Sequence, residues 1–579
     1  MSAMMTRWGA ALDANAVLQE YPRPQMVRES YVNLNGYWAH AITDGGAPGA
    51  EYDGRILVPF SPEAPLSGVG RSLAPGQTLW YRRALPCARQ AGLRTLLHFG
   101  AVDQIAEVFV NGVSAVKHSG GYWPFSADIT SLLREGENVL CVTVRDNADD
   151  PTFAYGKQRY KRGGMWYTAQ SGIWQTVWLE SVPEVHIVSL RITPEFDDAR
   201  VRIELETAGE SRAAITCDVR GEDGSFVAGS WAKGGVCVVP LPGFHAWTPD
   251  DPYLYALDIT CGEDHVESYF AMRKFSYVEH NGHKVFGLNN VPLFHNGLLD
   301  QGYYPDGLLT PPSDEAMVHD IETMKRCGFN MLRKHIKIEP LRWYYHCDRL
   351  GMIVWQDMVS GGQPYSFLHV SALPTLGVVD LPDRDAKPYG RSGMLSRARF
   401  RREMADTVRH LYNCPCIALW TVFNEGWGQF DALEMANELK MLDATRFIDH
   451  ASGWQDQGRE EMKSRHIYFR PVKLKNDGRA LALTEYGGYV LAVDGHRWTD
   501  RVFGYRICRD SAALTRDYEK LMLGQVLPHI RAEGLTAAVY TQITDVEEEL
   551  NGLMSYDREV LKIPEETLRE INAALHFDA

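Results

Sequence analysis

The residues best suited to chemistry stand in two short stretches. Residues 421–430 read TVFNEGWGQF and residues 481–488 read LALTEYGG. Each sets a carboxylate, Glu425 or Glu485, directly behind an apolar run of strand type, where a charge is costly unless something pairs with it or uses it. Two carboxylates facing one cavity suit glycosidic-bond hydrolysis. One attacks the anomeric carbon and the other carries the proton, the two lying about 5–5.5 Å apart when configuration is retained. The proton carrier needs a pKa raised by its partner's like charge and by a partly dry pocket.

Strands must deliver these groups. From residue 276 to 579, eight apolar candidates (VPLFHNG, CGFNMLRKH, GMIVWQDM, CIALWTVFNE, RFIDHASG, HIYFRP, LALTEYGG, AAVYTQIT) alternate with amphipathic stretches such as SDEAMVHDIETMKRCG. That alternation predicts a catalytic (β/α)8 TIM barrel, with the chemistry at the C-terminal strand ends. Glu425 then closes the fourth strand and Glu485 the seventh, so the ring can join residues 60 positions apart. Ser313 is the expected N-cap of the first helix. Upstream, residues 1–185 alternate short strands with turns and predict a jelly-roll-like, sugar-binding-type β-sandwich, with a hairpin at Asn111-Gly112. Residues 186–275 continue as a smaller immunoglobulin-like β-sandwich.

Composition narrows the partners. A net charge of −15 argues against nucleic acid, and no apolar run is long enough for a bilayer, so neither a nucleic-acid nor a membrane role is expected. Residues 1–24 lack the pattern of a secretion signal, which predicts a cytoplasmic location. Ten cysteines show no disulfide spacing, and Cys414 and Cys416 have no second pair at zinc spacing. No cofactor and no metal is expected. A homo-oligomer is possible.

At the two glutamates the sequence resembles glycoside hydrolase family 2, which includes β-galactosidases, β-glucuronidases and β-mannosidases. GIWQTVWLE is similar to the end of that family's sugar-binding sandwich and HAWTPDDPYLY to its immunoglobulin-like domain. GFNMLRKH and CDRLGMIVWQD resemble its second and third barrel strands, and FNE and TEYG its acid/base and nucleophile motifs. The resemblance implies Glu425 as proton donor and later general base, Glu485 as covalent nucleophile, and Asn424 as hydrogen-bond partner of the sugar's 2-hydroxyl. Arg333 and His335 end the second strand, where Arg333 could orient Glu485 or instead serve as a structural ion-pair partner; His335 could be a structural histidine. Asp300, Gln301 and Gln542 are further pocket candidates. Tyr486 could hydrogen-bond a carboxylate, and Tyr468 and Trp427 could stack on a pyranose, while Trp355 is expected in the core. Glu547, Glu548 and Glu549 read as a solvated charge run, beside Asp545 at the eighth strand's end.

The pattern also departs from the family. No Asn is followed two residues later by Lys, the motif that holds the substrate carboxylate in many β-glucuronidases. Residues 151–179 contain no Asp or Glu, where many members send an acidic residue to the sugar. In its place stands YGKQRYKRGGMWYTAQSGIW, with Lys157, Arg159, Lys161 and Arg162; this loop could favour an anionic substrate or could face solvent or another subunit. Residues 360–393 are too long for an ordinary connection and are expected to wall the site. The expectation is a retaining exo-β-glycosidase on a small oligosaccharide or soluble glycoside, a β-galactoside ahead of a β-glucuronide or other uronide. Two other classes compete: a non-catalytic carbohydrate-binding protein on a hydrolase scaffold, and a metal-dependent hydrolase using His295, His335, His450 and His466.

Overall fold

In the computed structural model, residues 4–48, 51–209, 214–377, 379–458 and 461–578 are described. Residue 378 of the long 360–393 connection therefore lies outside them. The first sandwich sets a six-stranded sheet, ordered Gly54–Val58, Gly36–Thr43, Thr78–Leu85, Asn138–Arg145, Ile105–Val110, Val113–Ser119, against a four-stranded sheet built on Val177–Pro183 and Leu93–Phe99. Its inward-facing residues, among them Trp38, Ile56, Leu97 and Val142, are shut from solvent, as period-two alternation requires. Asn111 (φ +54°) and Gly112 (φ +83°) make the expected hairpin turn. The second sandwich pairs a three-stranded sheet (His186–Glu195, Arg200–Ala208, Val236–Pro240) with a four-stranded one ending in Asp264–Phe270. Seven strands give the immunoglobulin-like layer its own core, around Val201, Cys217 and Leu257.

The barrel strands are β1 (His295–Asp300), β2 (Met331–Lys334), β3 (Ile353–Asp357), β4 (Ile417–Thr421), β5 (Phe447–Asp449), β6 (Met462–Ile467), β7 (Ala480–Gly487) and β8 (Leu535–Thr541). They pair in parallel in the order β5-β4-β3-β2-β1-β8-β7-β6. Between β5 and β6 the ring is stitched by a side chain: Ser464 Oγ, with one hydrogen to donate, lies 2.9 Å from Asp449 Oδ1 and 3.0 Å from the Ala451 carbonyl. Every residue of β1, β2, β3 and β8 is buried, so these strands show no alternation between a core face and a solvent face. The hairpin Phe275–His280 with His283–Leu288 closes the barrel floor, where Phe286, Phe447 and Trp355 pack together. Val291–Pro292 pairs with this hairpin, so β1 begins four residues later than the run VPLFHNG suggests. Ser313 caps the helix Asp314–Arg326 through the Ala316 amide. Among the described residues, no helix is long and apolar enough to cross a membrane.

The loop from Tyr155 to Gly172 leaves the first sandwich and docks on the barrel mouth. Its backbone joins the 360–393 connection, with Gly156 N donating to the Ser360 carbonyl (2.9 Å) and Tyr155 Oη to the Gly362 carbonyl (2.9 Å). The supposedly solvated acidic run holds the other end. Glu547 Oε1 accepts from the Thr168 amide (2.8 Å), Glu548 Oε2 from the Gly164 amide (3.0 Å), and Glu549 from the Tyr167 hydroxyl. Glu547 and Glu549 are buried, so that expectation is corrected: these carboxylates are affordable inside because amide and hydroxyl donors of another domain satisfy them.

Candidate active site

Glu425 sits four residues past β4, in a turn that bends it toward the barrel axis. Its φ of +55° is unusual for a residue with a side chain. Neighbours hold that conformation, with the Glu425 amide donating to the Ser452 carbonyl (2.9 Å) and Trp454 Nε1 donating to the Glu425 carbonyl (2.8 Å). Glu485 arrives from β7 by a different device. Against β6, Arg465 pairs with Leu483 and His466 with Glu485, so β7 carries one extra residue there. This bulge lets Thr484 and Glu485 both serve the interior. The result brings the two glutamates together: an oxygen of each and a nitrogen of His466 all lie within 4.8 Å of one another.

The two carboxyls live in different surroundings. Glu485 Oε1 accepts from Arg333 Nη1 (3.2 Å) and Oε2 accepts from the Tyr468 hydroxyl, so donors fix both oxygens. Glu425 is instead beside His466, with Nδ1 at 2.9 Å from its Oε1. Burial raises the Glu425 pKa, opposed by the positive charges of Lys157, His335 and Arg333. The sequence argument placed the shift on the partner's like charge as well, but desolvation is the leading cause. His466 is pushed down to about 3 by burial and is neutral near pH 7. Its hydrogen bonds suggest the tautomer. Thr484 Oγ1 donates to the Arg465 carbonyl (3.4 Å) and Ser452 Oγ donates to Thr484 Oγ1 (3.0 Å). Ser452 then accepts from His466 Nε2–H (3.2 Å), and the Nδ1 lone pair faces Glu425. A protonated Glu425 is the species that satisfies it.

Arg333 organises the rest. Its five N–H groups go to Asp357 Oδ1 (3.0 Å) and Oδ2 (3.1 Å), the Thr484 carbonyl (3.0 Å), Glu485 (3.2 Å) and Asn424 Oδ1 (2.9 Å). With its carbonyl held by Arg333, Asn424 has its NH2 to donate. His335 Nδ1 lies 2.7 Å from Asp357 Oδ2, and burial lowers its pKa.

Several expected residues stand elsewhere. Asp300 takes the Lys334 ammonium (2.6 Å) and the Gly302 amide (2.8 Å), bonds that commit it to the loop after β1. Gln301 Nε2 donates to Gln542 Oε1 (2.8 Å), Gln542 Nε2 to Asn551 Oδ1 (2.9 Å), and Asn551 Nδ2 to Glu549 (3.1 Å). These amides therefore brace Glu549 from behind and are buried themselves. Tyr486 is a correction: the alternation that turns Glu485 inward turns Tyr486 outward, and its hydroxyl meets Met522 Sδ (3.1 Å) among core aromatics. Trp427 is also corrected. It is buried and packs beside Tyr155 and edge-on to Trp166 (5.1 Å), supporting the docked loop instead of offering an open sugar platform. Tyr468 stays at the site, stacked on Tyr505 at 3.8 Å. Trp355 lies in the floor core, donating to His295 Nδ1 (3.0 Å).

The four histidines of the metal reading do not share one site. His295 is in the floor, His335 on Asp357, and His450 3.2 Å from Asp456. Among the described residues the group with ligand-like spacing is Glu425, His466 and Glu485. Hydrogen bonds from Arg333 and Tyr468 to Glu485, and the contact of His466 with Glu425, already engage these atoms. His466, Asp357, Ser452 and Tyr505 are the site residues the motifs did not single out as such. Asp357 was legible as the polar end of VWQDM; Tyr505 comes from a loop with no local signal.

Comparison with known proteins agrees with this architecture. Residues 71–183 match the profile for "Glycosyl hydrolases family 2, sugar binding domain", residues 185–273 that for "Glycosyl hydrolases family 2", and residues 312–473 that for "Glycosyl hydrolases family 2, TIM barrel domain". A β-galactosidase of Thermoanaerobacter pseudethanolicus is 26% identical over 388 residues, 63% of this chain and 47% of that protein. The chain spans about half, or less, of the length of the curated relatives it matches. A β-glucuronidase from an uncultured Clostridium sp. superposes with a TM-score of 0.74 at 19% identity, covering 95% of this chain and 98% of that one. A Faecalibacterium prausnitzii β-glucuronidase gives 0.72 at 20%, covering 97% and 100%. At such identities the likeness speaks for the fold. Three domain profiles of one family, which together match most of the chain, place it in glycosyl hydrolase family 2.

Proposed function

We propose that the protein is a retaining exo-β-glycosidase that acts through Glu485 and Glu425. The observation that carries this reading is their approach to within 4.8 Å, which suits a direct nucleophile about 5–5.5 Å from its acid/base and leaves too little room for the intervening water of an inverting site, about 6.5–9.5 Å. Glu485 attacks the anomeric carbon while Glu425 gives its proton to the departing glycosidic oxygen. The aglycone leaves as an alcohol and the sugar stays as an ester on Glu485. Glu425, now a carboxylate, takes a proton from water, whose oxygen displaces Glu485 and restores the starting state. Asn424 is poised to donate to the sugar's 2-hydroxyl, a bond that strengthens as the oxocarbenium ion develops. Exo action is part of this reading: the Tyr155–Gly172 loop and the 360–393 connection, hydrogen-bonded to each other, would wall the pocket around a terminal sugar.

Curated relatives are named for both glucuronides and galactosides, and structural neighbours for glucuronides and a galacturonide. The test is hydrolysis of a panel of aryl β-glycosides, with proton NMR of the first-formed sugar. Release with the β-anomer appearing first, abolished in Glu485→Gln, is expected. An α-anomer first would sink the retaining mechanism. A folded protein that binds sugars without cleaving any would favour the carbohydrate-binding reading.

A further inference from the structure

The first sandwich brings cations to the barrel mouth, and most of them are spent. Arg159 meets Asp149 (3.3 Å) and lies over the Trp166 ring (4.4 Å), while Arg162 meets Glu547 (3.4 Å). On the barrel side, Arg333 uses all five of its N–H groups internally and Lys334 is shared by Asp300 (2.6 Å) and Glu339 (2.8 Å). Lys157 differs. Among the described residues, no carboxylate lies within 4 Å of its ammonium, which sits 5.8 Å from the Trp166 ring.

Backbone contacts fix where it stands. Gly156 has φ +65°, and a Cβ there would come within 2.9 Å of the Ile336 carbonyl, so the main chain before Lys157 lies on the residue that follows His335. On its other side the Lys157 carbonyl accepts from the Tyr167 amide (3.0 Å). Trp166, which carries the ammonium, packs on Trp427, two residues beyond the acid/base. In keeping with this placement, Lys157 is the first of the charges opposing the raised Glu425 pKa. The ammonium opposes the burial-raised pKa of Glu549 as it does that of Glu425, but Glu549 already accepts from Tyr167 and Asn551 and makes no ion pair with it, so the hydroxyls of a neutral sugar would leave this half-buried charge without a direct partner. A carboxylate would pair with it through a charge-assisted hydrogen bond.

We propose that Lys157 is the specificity determinant of this pocket and recognises the carboxylate of a uronic-acid glycone, so that β-uronides are the preferred substrates. The inference rests on the retaining-glycosidase reading. It reverses the order of galactoside and uronide that the motifs favoured, and it assigns to the first sandwich the role for which the barrel has no Asn-x-Lys motif.

The experiment compares kcat/KM for 4-nitrophenyl β-glucuronide and β-galacturonide with that for the matching glucoside and galactoside. It uses the full chain, Lys157→Met, Lys157→Arg and, as control, the exposed Lys161→Met. Uronides are expected to be preferred. Lys157→Met should cut the uronide-to-neutral ratio about 10- to 100-fold, the scale of one hydrogen bond to a charged group. Lys157→Arg should recover part of it, and Lys161→Met should leave it unchanged. A wild-type preference for neutral glycosides, or an unchanged ratio in Lys157→Met, would overturn the proposal and leave the glycosidase reading standing. No cleavage of any glycoside would count against the glycosidase reading. Calorimetric titration of free glucuronic and galacturonic acids then tests Lys157 separately: weaker binding to Lys157→Met supports its role, and equal binding overturns it.

Discussion

Tyr468, one residue past β6, and Tyr486, on β7 directly after Glu485, have opposite duties. Tyr468 donates to Glu485, whereas Tyr486 donates to Met522 in the core. Removing the hydroxyl of Tyr468 should lower kcat about 10- to 100-fold, the worth of a hydrogen bond to a charged group. Tyr486→Phe should leave kcat within about twofold, because it removes only a weak bond to sulfur in the core. Steady-state kinetics on the same aryl glycoside checks both, and equal losses would mean that the bulge does not orient β7 as described. The glutamates separate by leaving group. Glu425→Gln should cost far more on an alkyl glycoside than on a dinitrophenyl one, which departs without a proton, while Glu485→Gln should cost at least about 10³-fold on both. The meeting of Glu425 and Glu485 at one end of the barrel was legible because motif and strand-end position agreed, while their catalytic roles stay a proposal. Tyr486 was misread because a one-residue step reverses the face of a strand, and a bulge that shifts the count leaves no mark in the sequence.

At the scale of elements, the docked loop is the piece that alternation could not place. Periodicity identifies strands, but an irregular segment declares its position only through its partners, and those of Tyr155–Gly172 lie hundreds of residues away in Glu547, Glu548, Glu549 and Ser360. The eight β/α units, by contrast, carry their own pattern, and their order was readable apart from shifts at the ends of β1 and β6. On the proposed mechanism the loop that carries Lys157 tunes the proton donor, because Lys157 is the first of the charges that oppose the raised Glu425 pKa. Glu425 has a raised pKa, so it keeps its proton above the ordinary carboxylate range, and kcat/KM on a neutral glycoside should fall as pH rises through that value. Lys157 pulls the value down; Lys157→Met should therefore move this alkaline limb to higher pH, and an unmoved limb would place the ammonium away from Glu425. Gly156→Ala, which cannot adopt φ +65° cheaply and meets the Ile336 carbonyl, should displace the loop and raise KM while the unfolding temperature changes by only a few degrees.

For the molecule as a whole, buried carboxyls in the first sandwich and at its junction with the barrel are expected to set an alkaline limit to stability. Trp123 of the sandwich donates to Thr407 (3.0 Å) on the barrel helix Met394–Leu411, and that helix also buries Glu403, one oxygen of which has no hydrogen-bond partner among the described residues. Burial raises the Glu403 pKa to about 8, against the charges of Arg399 and Arg391. In the sandwich, burial likewise holds Glu63 and Asp103 at about 7. A carboxyl whose folded pKa exceeds its unfolded one binds its proton more tightly in the folded state, so its contribution is intact at low pH and is lost progressively as pH rises toward the folded value. Stability should therefore decline between about pH 5 and pH 8 on account of these three groups. Replacing Glu403 with Gln removes one titration and keeps the shape, so the fall in unfolding temperature from pH 6 to pH 9 should be shallower in the variant, with the difference largest at the alkaline end. Parallel melting curves at every pH would show that the Glu403 carboxyl ionises without cost, and the junction would then have to be hydrated in a way its burial does not suggest.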